Sequence, residues 1–234
     1  VHRLPYPPNK GDKVRSYHLL RHLVQRHRVH LGTFMDDPDD ARHLDTVRAM
    51  CADMHVAHLA PLQARFRSLS ALATGMPLTL PYYADGGLRQ WVGKVVGGGK
   101  VDAAVVFSSA MAQYLEGVPP EATVIDLVDV DSAKWGQYAS RHRWPMSWLY
   151  RREADRLLAF ERAVAGRCAR SFLSTDNEAD LFRRLAPECA ARVEAMNNGV
   201  DAEFFSPDHP LESPFNEGTR AIVFTGAMDY LPNI

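Results

Sequence analysis

The sequence has 234 residues, of which 46% are apolar and 24% are charged, and its formal net charge is −1. This composition supports a folded core, but it lacks the surplus of lysine and arginine that a nucleic-acid-binding protein needs for phosphate contacts. No apolar run reaches the roughly 20 residues of a membrane-spanning helix. The three cysteines lie far apart in sequence, which suits a reducing compartment and predicts neither a disulfide framework nor a zinc site.

The chain opens as a strand, a loop with one glycine, a helix and a second strand. Residues 1–4 look like the end of a strand that began earlier, and Gly11 lies in the proline-containing loop that follows. The predicted helix presents apolar residues at helical spacing, namely Val14, Tyr17, Leu20, Leu23 and Val24. The second strand is predicted at 28–34.

The start of this helix is a candidate anion-binding site, because its free N–H groups and positive dipole end lie beside the glycine. Lys10, Lys13 and Arg15 add positive charge there, and Asp12 is a candidate helix cap. Since Gly11 stands alone, the three-glycine fingerprint of nicotinamide-dependent oxidoreductases is missing. Asp36 and Asp37 are at best weak candidates for a ribose-binding acid.

Two further segments allow alternative interpretations. Residues 62–83 are apolar and basic without an acidic residue, which fits either a core helix with a loop, the interpretation we favour, or an amphipathic surface on a membrane. Glu161 falls on the apolar face of a long helix that we predict to end near Arg167. We expect Glu161 to be buried, structural and paired with an arginine, so its replacement by alanine should destabilise the fold.

Polar residues follow two predicted strands. Ser108 and Ser109 come directly after the strand at 101–107, although Ser109 could equally cap a helix. Asp129 and Asp131 lie at the end of a strand predicted at 124–131, and Lys134 can pair with either carboxylate. The carboxyl ends of parallel strands form the ligand-binding edge of an open α/β sheet. These five residues are therefore candidates for a binding or catalytic site.

Strands and helices alternate along the chain, which predicts an α/β fold with a Rossmann-like parallel sheet and helices on both faces. Asn198-Gly199 favours a tight turn, and Pro207 stiffens the connector that follows. A new apolar run then begins at Ala221. We therefore expect a first domain at 1–197, a hinge at 198–220, and at 221–234 the first strand of a second domain that is truncated at Ile234.

Four strings resemble a known family. Asn-Gly-Val-Asp from Asn198, followed by phenylalanine, proline and a strand, resembles the interdomain segment of GT-B-fold retaining glycosyltransferases of the group 1, family 4 type. Residues 5–17, 108–114 and 128–135 resemble a narrower set of bacterial sugar transferases associated with exopolysaccharide synthesis and exosortase systems. The resemblance implies the N-terminal lobe of a GT-B fold, acting as a hexosyltransferase in cell-surface glycan synthesis.

The resemblance also implies partners and a location. The donor would be a nucleotide-diphosphate sugar, with no other cofactor, and the acceptor a glycan or a lipid-linked hydroxyl compound. The protein would be cytoplasmic, with peripheral contact to the inner face of the cell membrane as a further expectation. The remainder of the donor site would lie beyond Ile234, so residues 1–234 alone should be inactive.

Residue roles follow from the same resemblance. The substrate-binding residues would be Gly11, Asp12, Lys13, Arg15, Ser108, Ser109 and Lys134, with Gly226 as the second lobe's first donor contact. Asp129 or Asp131 takes a place near the reacting carbon where relatives often have histidine. Its role as general base, sugar ligand or helix cap therefore stays open. The Asp-Val-Asp string also matches the metal-binding motif of the other glycosyltransferase fold, and a non-catalytic sugar- or nucleotide-binding module is a third possibility.

Overall fold

The computed structural model describes residues 1–99, 101–209, 212, 214–216 and 218–223. The chain divides into two compact units after Asn198. All helices and strands of the described residues lie in the first unit. From Gly199 the described chain forms turns and extended segments. Ala221–Val223 are not in a strand, and the remainder of the predicted strand lies outside the described residues, so the division into 1–197, 198–220 and 221–234 stays a prediction.

Six parallel strands form two sheets in the first unit. The strands are β1 (His30–Met35), β2 (Asp53–His58), β3 (Ala104–Phe107), β4 (Thr123–Val128), β5 (Arg170–Leu173) and β6 (Val193–Ala195). β1 pairs with β2, and the other four strands form a sheet in the order β3-β4-β5-β6. Every pairing is parallel.

Helices connect the successive strands. They are α1 (Gly11–Val24), α2 (Leu44–Met50), α3 (Pro61–Ser68), α4 (Ser70–Thr74), α5 (Thr79–Tyr82), α6 (Gly86–Gly97), α7 (Asp131–Arg141), α8 (Met146–Arg167) and α9 (Asp176–Leu185). Short 3-10 helices span Pro38–His43, Ser109–Tyr114, Pro120–Ala122 and Pro187–Arg192. Parallel strands require such crossover connections. The predicted α/β fold with a Rossmann-like parallel sheet is therefore confirmed. No helix among the described residues is long and apolar enough to cross a membrane.

The larger hydrophobic core packs the four-stranded sheet against its helices. It contains Ile125 and Leu127 of β4, Val164 of α8 and Phe182 of α9, each at most 2% exposed. A smaller core joins β1 and β2 to α1 and α2. A cavity of about 1090 Å³ is lined by residues of β1, β3, α1 and α6.

Helix α1 buries a face that only partly follows its predicted apolar residues. Its buried side chains are Lys13, Ser16 and Leu20, whereas Val14 is 37% exposed. The Lys13 ammonium contacts both carboxylate oxygens of Asp40, at 2.7 and 2.6 Å, in a 3-10 helix that also packs near β1. A buried charge is tolerated when a partner neutralises it. The ion pair therefore explains why a lysine occupies the face expected to be apolar.

Candidate functional site

The carboxyl ends of β3, β4 and β5 bring the predicted polar residues to one edge of the four-stranded sheet. Because these strands are parallel, the segments that follow them emerge on the same side. Ser108 and Ser109 follow β3, Asp129 and Asp131 follow β4, and Ser174 follows β5. The sheet edge is the place where ligands bind in open α/β folds, and these residues form its polar lining.

Two residues at this edge have unusual backbone conformations. Ser108 has a φ of 75° and Val128 a φ of 70°. Positive φ is rare for residues other than glycine and is a genuine outlier for a β-branched residue such as Val128. The pairing register of β4 also shifts between Asp126 and Val128. Strained backbone of this kind clusters at functional sites, which makes this edge the best candidate site in the described residues.

The same distortion corrects the prediction for β4. The strand was expected to continue to Asp131 but ends at Val128. The backbone N–H of Val128 donates to Oδ1 of Asp126 at 3.1 Å. Asp129 therefore lies in a turn, and Asp131 is the first residue of α7. The two carboxylates are brought together by this turn and not by the alternation of a strand.

One lysine bridges the two carboxylates, as the sequence predicted that it could. Lys134 Nζ donates to Asp129 at 2.8 Å and to Asp131 at 3.3 Å. The Ser174 hydroxyl donates to the second oxygen of Asp129 at 2.9 Å, and Ser109 Oγ lies 3.5 Å from Asp131. The side chains of all three charged residues are between 32% and 39% exposed. The cluster is thus ordered by its neighbours and still accessible from solvent.

The two carboxylates have opposite pKa shifts. Burial raises the pKa of Asp131, and the negative charge of Asp129 adds to this shift while Lys134 opposes it. Burial also acts on Asp129, but hydrogen bonds from Lys134 and Ser174 and the lysine charge lower its pKa below the ordinary value. Paired acids with pKa values pushed apart are typical of acid–base sites. Asp129 is held ionised, and Asp131 accepts a proton more readily.

Glu161 lies beneath this cluster and is 1% exposed. It accepts hydrogen bonds from the hydroxyl of Ser132 at 2.6 Å and from its backbone N–H at 3.3 Å. The predicted burial is confirmed, but the predicted arginine partner is wrong, because the first turn of α7 supplies the donors. Burial raises the pKa of Glu161 to about 8. Its protonated carboxyl group therefore links α8 to the start of α7.

A second polar cluster surrounds the start of α1. Arg3 contacts Asp12 at 2.8 Å and Asp36 at 2.9 Å, and His2 Nε2 lies 3.3 Å from Asp12. Burial opposes ionisation of Asp12, but the His2 hydrogen bond and the Arg3 charge lower its pKa well below the ordinary range. The His2 ring stacks on Phe107, the last residue of β3, with ring centroids 5.8 Å apart. This stacking brings the cluster beside the carboxyl edge of the four-stranded sheet.

The structure corrects the expected caps. Asp12 lies within the first turn of α1, where its side chain accepts from the N–H of Lys13, and the cap position is Lys10. Ser109 is the first residue of a 3-10 helix and makes no capping hydrogen bond; Ser108 holds the cap position, also without one. Asp37 caps a 3-10 helix by accepting from Asp39.

Two of the predicted anion-binding cations are already neutralised. Lys13 is paired with Asp40, as described above, and Arg15 Nε contacts Asp126 at 2.7 Å, with side chains only 7% and 2% exposed. Arg15 also donates to the carbonyl of Met196 and to the side chain of Asn198. Lys13 holds α1 to the 3-10 helix Pro38–His43, and Arg15 holds it to β4. Gly11 and Lys10 are exposed at the helix start, so they are the part of the predicted anion site that remains open.

Three members of the site could not be predicted from the sequence. His2, Arg3 and Ser174 carry no motif, and only the fold places them beside Asp12, Asp36 and Asp129. Asp36 was considered as a ribose ligand, but Arg3 binds it. Gly226, the remaining predicted substrate contact, lies outside the described residues.

The described ranges contain no group of three or more histidine, cysteine, aspartate or glutamate side chains placed to hold a metal ion. Comparison of the sequence with protein-family models found no match, and comparison with curated proteins found none either.

Proposed function

We propose that the unit Val1–Asn198 is the acceptor-side lobe of a retaining GT-B glycosyltransferase. It would move a hexosyl group from a nucleotide-diphosphate sugar to a hydroxyl acceptor in exopolysaccharide or other cell-surface glycan synthesis. The resemblance of four sequence strings supports the family. The observation that carries the chemistry is the carboxylate pair Asp129 and Asp131, with pKa values shifted in opposite directions, at the carboxyl edge of the sheet.

In this proposal Asp131 is the general base. Its carboxylate takes the proton of the acceptor hydroxyl while that oxygen forms a bond to the sugar's anomeric carbon on the face from which the diphosphate leaves, so the configuration is retained. The bond from this carbon to the diphosphate breaks, and its electron pair leaves with the phosphate oxygen. A base works best when its pKa lies near the operating pH, so the raised pKa of Asp131 suits the task. Asp129 and Lys134 position the Asp131 carboxylate.

The open start of α1 is the proposed contact for negative charge on the donor. Backbone N–H groups and the positive helix end stabilise anions at helix N-termini. An added Cβ at Gly11 would meet no atom within 4 Å, so the glycine is not required by packing inside the protein. We infer that its absence of a side chain serves close approach of a ligand.

The test uses the complete encoded polypeptide with a panel of nucleotide sugars, and measures release of the nucleoside diphosphate. Asp131→Asn should lower turnover by roughly 100-fold or more, the usual contribution of a general base. Asp155→Asn is the matched control, because Asp155 is an exposed carboxylate on α8. We expect it to leave turnover unchanged.

Three results would contradict the proposal. Full turnover by Asp131→Asn would show that the Asp131 carboxylate takes no part in the reaction. Loss of wild-type turnover in EDTA would favour the metal-dependent fold that uses Asp129 and Asp131 as ligands. Calorimetric binding of a nucleotide sugar without any turnover would favour a non-catalytic binding module.

The proposed location is the cytoplasm, where nucleotide sugars are made. Cys51, Cys168 and Cys189 are all free thiols, which agrees with a reducing compartment. A lipid-linked acceptor would also require contact with the inner face of the cell membrane.

A further inference from the structure

Helices α3 and α4 expose their large apolar side chains. Leu62 and Phe66 are 70% and 74% exposed, and Leu69, Leu72 and Met76 are also exposed. The residues that these two helices bury are small, namely Ala64, Ser68 and Ala71. A helix of a globular protein normally turns its large apolar residues inward. For residues 62–76 this reversed arrangement contradicts the core interpretation that we favoured for 62–83, whereas Leu80 is buried and Tyr83 packs against the core.

A second exposed apolar segment lies beside the first. Trp144, Met146 and Trp148 at the start of α8 are exposed, Trp144 by 81%. Arg152 of the same helix donates to the carbonyls of Ala71 and Met76, at 2.6 and 3.2 Å. Trp148 is one helical turn before Arg152 and therefore shares its face. The two segments form one surface, which we call the apolar surface and define by Leu62, Phe66, Leu69, Leu72, Met76, Trp144 and Trp148.

A hydrogen-bond network holds this surface to the body of the protein. The buried carboxylate of Glu153 accepts from the backbone N–H groups of Leu78 and Thr79, at 2.6 and 3.0 Å. Arg67 of α3 donates to the carbonyls of Pro81 and Tyr82. The exposed side chains are thus presented by an anchored scaffold and need no rearrangement to meet a partner.

The charged side chains of the two segments that carry the apolar surface are all basic. Residues 61–84 and 132–152 contain no aspartate or glutamate, although the whole chain has a net charge of −1. Exposed arginines lie in both segments, namely Arg65, Arg67, Arg141, Arg143 and Arg151. Arg67 is bound to backbone carbonyls and not to a carboxylate. A partner must therefore combine an apolar interior with a negatively charged outer layer.

We propose that the apolar surface docks on a bilayer that contains anionic lipids. Leucine and phenylalanine beside tryptophan and arginine are the composition of helices that lie in the membrane interface. Tryptophan rings favour the headgroup level, and each exposed arginine is attracted by the negative surface potential of anionic lipids. The helices lie on the membrane and do not span it. The proposal depends on exposure and charge, and it holds whether or not the protein transfers sugar.

The test is flotation of the intact protein with vesicles of phosphatidylcholine alone and with vesicles of equimolar phosphatidylcholine and phosphatidylglycerol. Wild type should float with the anionic vesicles and much less with the neutral ones. The double variant Phe66→Gln/Leu69→Gln should lower the partition coefficient by roughly tenfold or more, because both side chains lose their apolar burial. Arg65→Gln should weaken binding to anionic vesicles only.

Phe204→Gln is the matched control, because Phe204 is 71% exposed and is not one of the seven residues that define the apolar surface. It should float as wild type does. Circular dichroism melts should show that the double variant is folded, since both of its positions are exposed. Absence of wild-type flotation, or flotation of the double variant equal to wild type, would overturn the proposal. Self-association that the double variant abolishes, without flotation of wild type, would assign the surface to a second copy instead. Flotation and self-association are both measured without any sugar transfer, so these results do not depend on the proposed enzyme activity.

Discussion

Two lysine–carboxylate clusters in the first unit differ in exposure. Lys13 and Asp40 form a sealed pair, with side chains 1% and 5% exposed. Lys134 forms an open cluster with Asp129 and Asp131, in which each side chain is about a third exposed. Both are formed by residues close to the start of a helix, so sequence alone makes them look alike.

The difference separates structural charges from functional ones. A buried ion pair cannot lose one partner without leaving an uncompensated charge, so the sealed pair must stay intact. In the open cluster, water partly screens the charges, so the loss of one member costs little stability. The open cluster can therefore change protonation and meet a ligand, whereas the sealed pair can only hold α1 in place.

The largest expected effect comes from breaking the sealed pair. Lys13→Met should lower the free energy of unfolding by about 3–5 kcal/mol, because Asp40 would remain buried without its cation. Urea denaturation measures this change. The double variant Lys13→Met/Asp40→Leu should recover most of the loss. If the single variant were as stable as wild type, Asp40 would have to be reached by water, and the pair would not be sealed.

Glu161 lies under the open cluster and should give the next largest effect. Its pKa is about 8 in the fold against 4.5 normally, so the folded state holds a proton that the unfolded state releases. Its stabilising contribution is complete below pH 4.5 and is lost as pH rises through 8. Between pH 5 and 7, wild type should lose about 3 kcal/mol more than Glu161→Gln, because one pKa unit corresponds to about 1.4 kcal/mol.

Denaturation of wild type and Glu161→Gln at several pH values checks this prediction. The glutamine keeps an acceptor and a donor for Ser132 but cannot ionise. Parallel pH profiles for the two proteins would show that Glu161 has the same pKa in the folded and unfolded states.

A smaller effect on stability is expected when the open cluster loses its lysine. Lys134→Met should change the free energy of unfolding by less than about 1 kcal/mol, as for other solvent-exposed ion pairs. The same variant should raise the pKa of Asp131, because the positive charge that opposes its shift is gone. Carbon-13 NMR titration of the Asp131 carboxyl group measures this. A loss of stability equal to that of Lys13→Met would erase the distinction between the clusters.

The smallest expected effect on stability is at Gly11. Gly11→Ala should change stability by at most about 0.5 kcal/mol, since the new methyl group is exposed and meets no other atom. Gly93→Ala in α6 is the control, because its methyl group is equally free of contacts. If the proposed function holds, only Gly11→Ala weakens binding of a nucleotide sugar in calorimetry. Equal binding by both variants would show that no ligand approaches this glycine.

Sequence periodicity predicted the type of most elements but not which faces they bury. In α1 the predicted Leu20 is buried, but Lys13 and Ser16 are buried with it and Val14 is exposed. In α3, helical spacing was visible, but the large residues turned out to be exposed. Periodicity reports which residues share a face, and the neighbouring elements decide whether that face is covered. Here Asp40 makes a lysine acceptable inside, and small residues let α3 pack closely.

Sequence alone determined the order of strands and helices, the parallel α/β class and the polar residues after β3 and β4. These features follow from local residue spacing and from strand ends, which do not depend on contacts with distant residues. Tertiary structure decided which charges are sealed and which are open. It brought His2 and Arg3 to Asp12 and Ser174 to Asp129, across 45 residues in the last case. Those contacts depend on how separate strands align. The burial and the pKa values of the carboxylates depend in turn on those contacts.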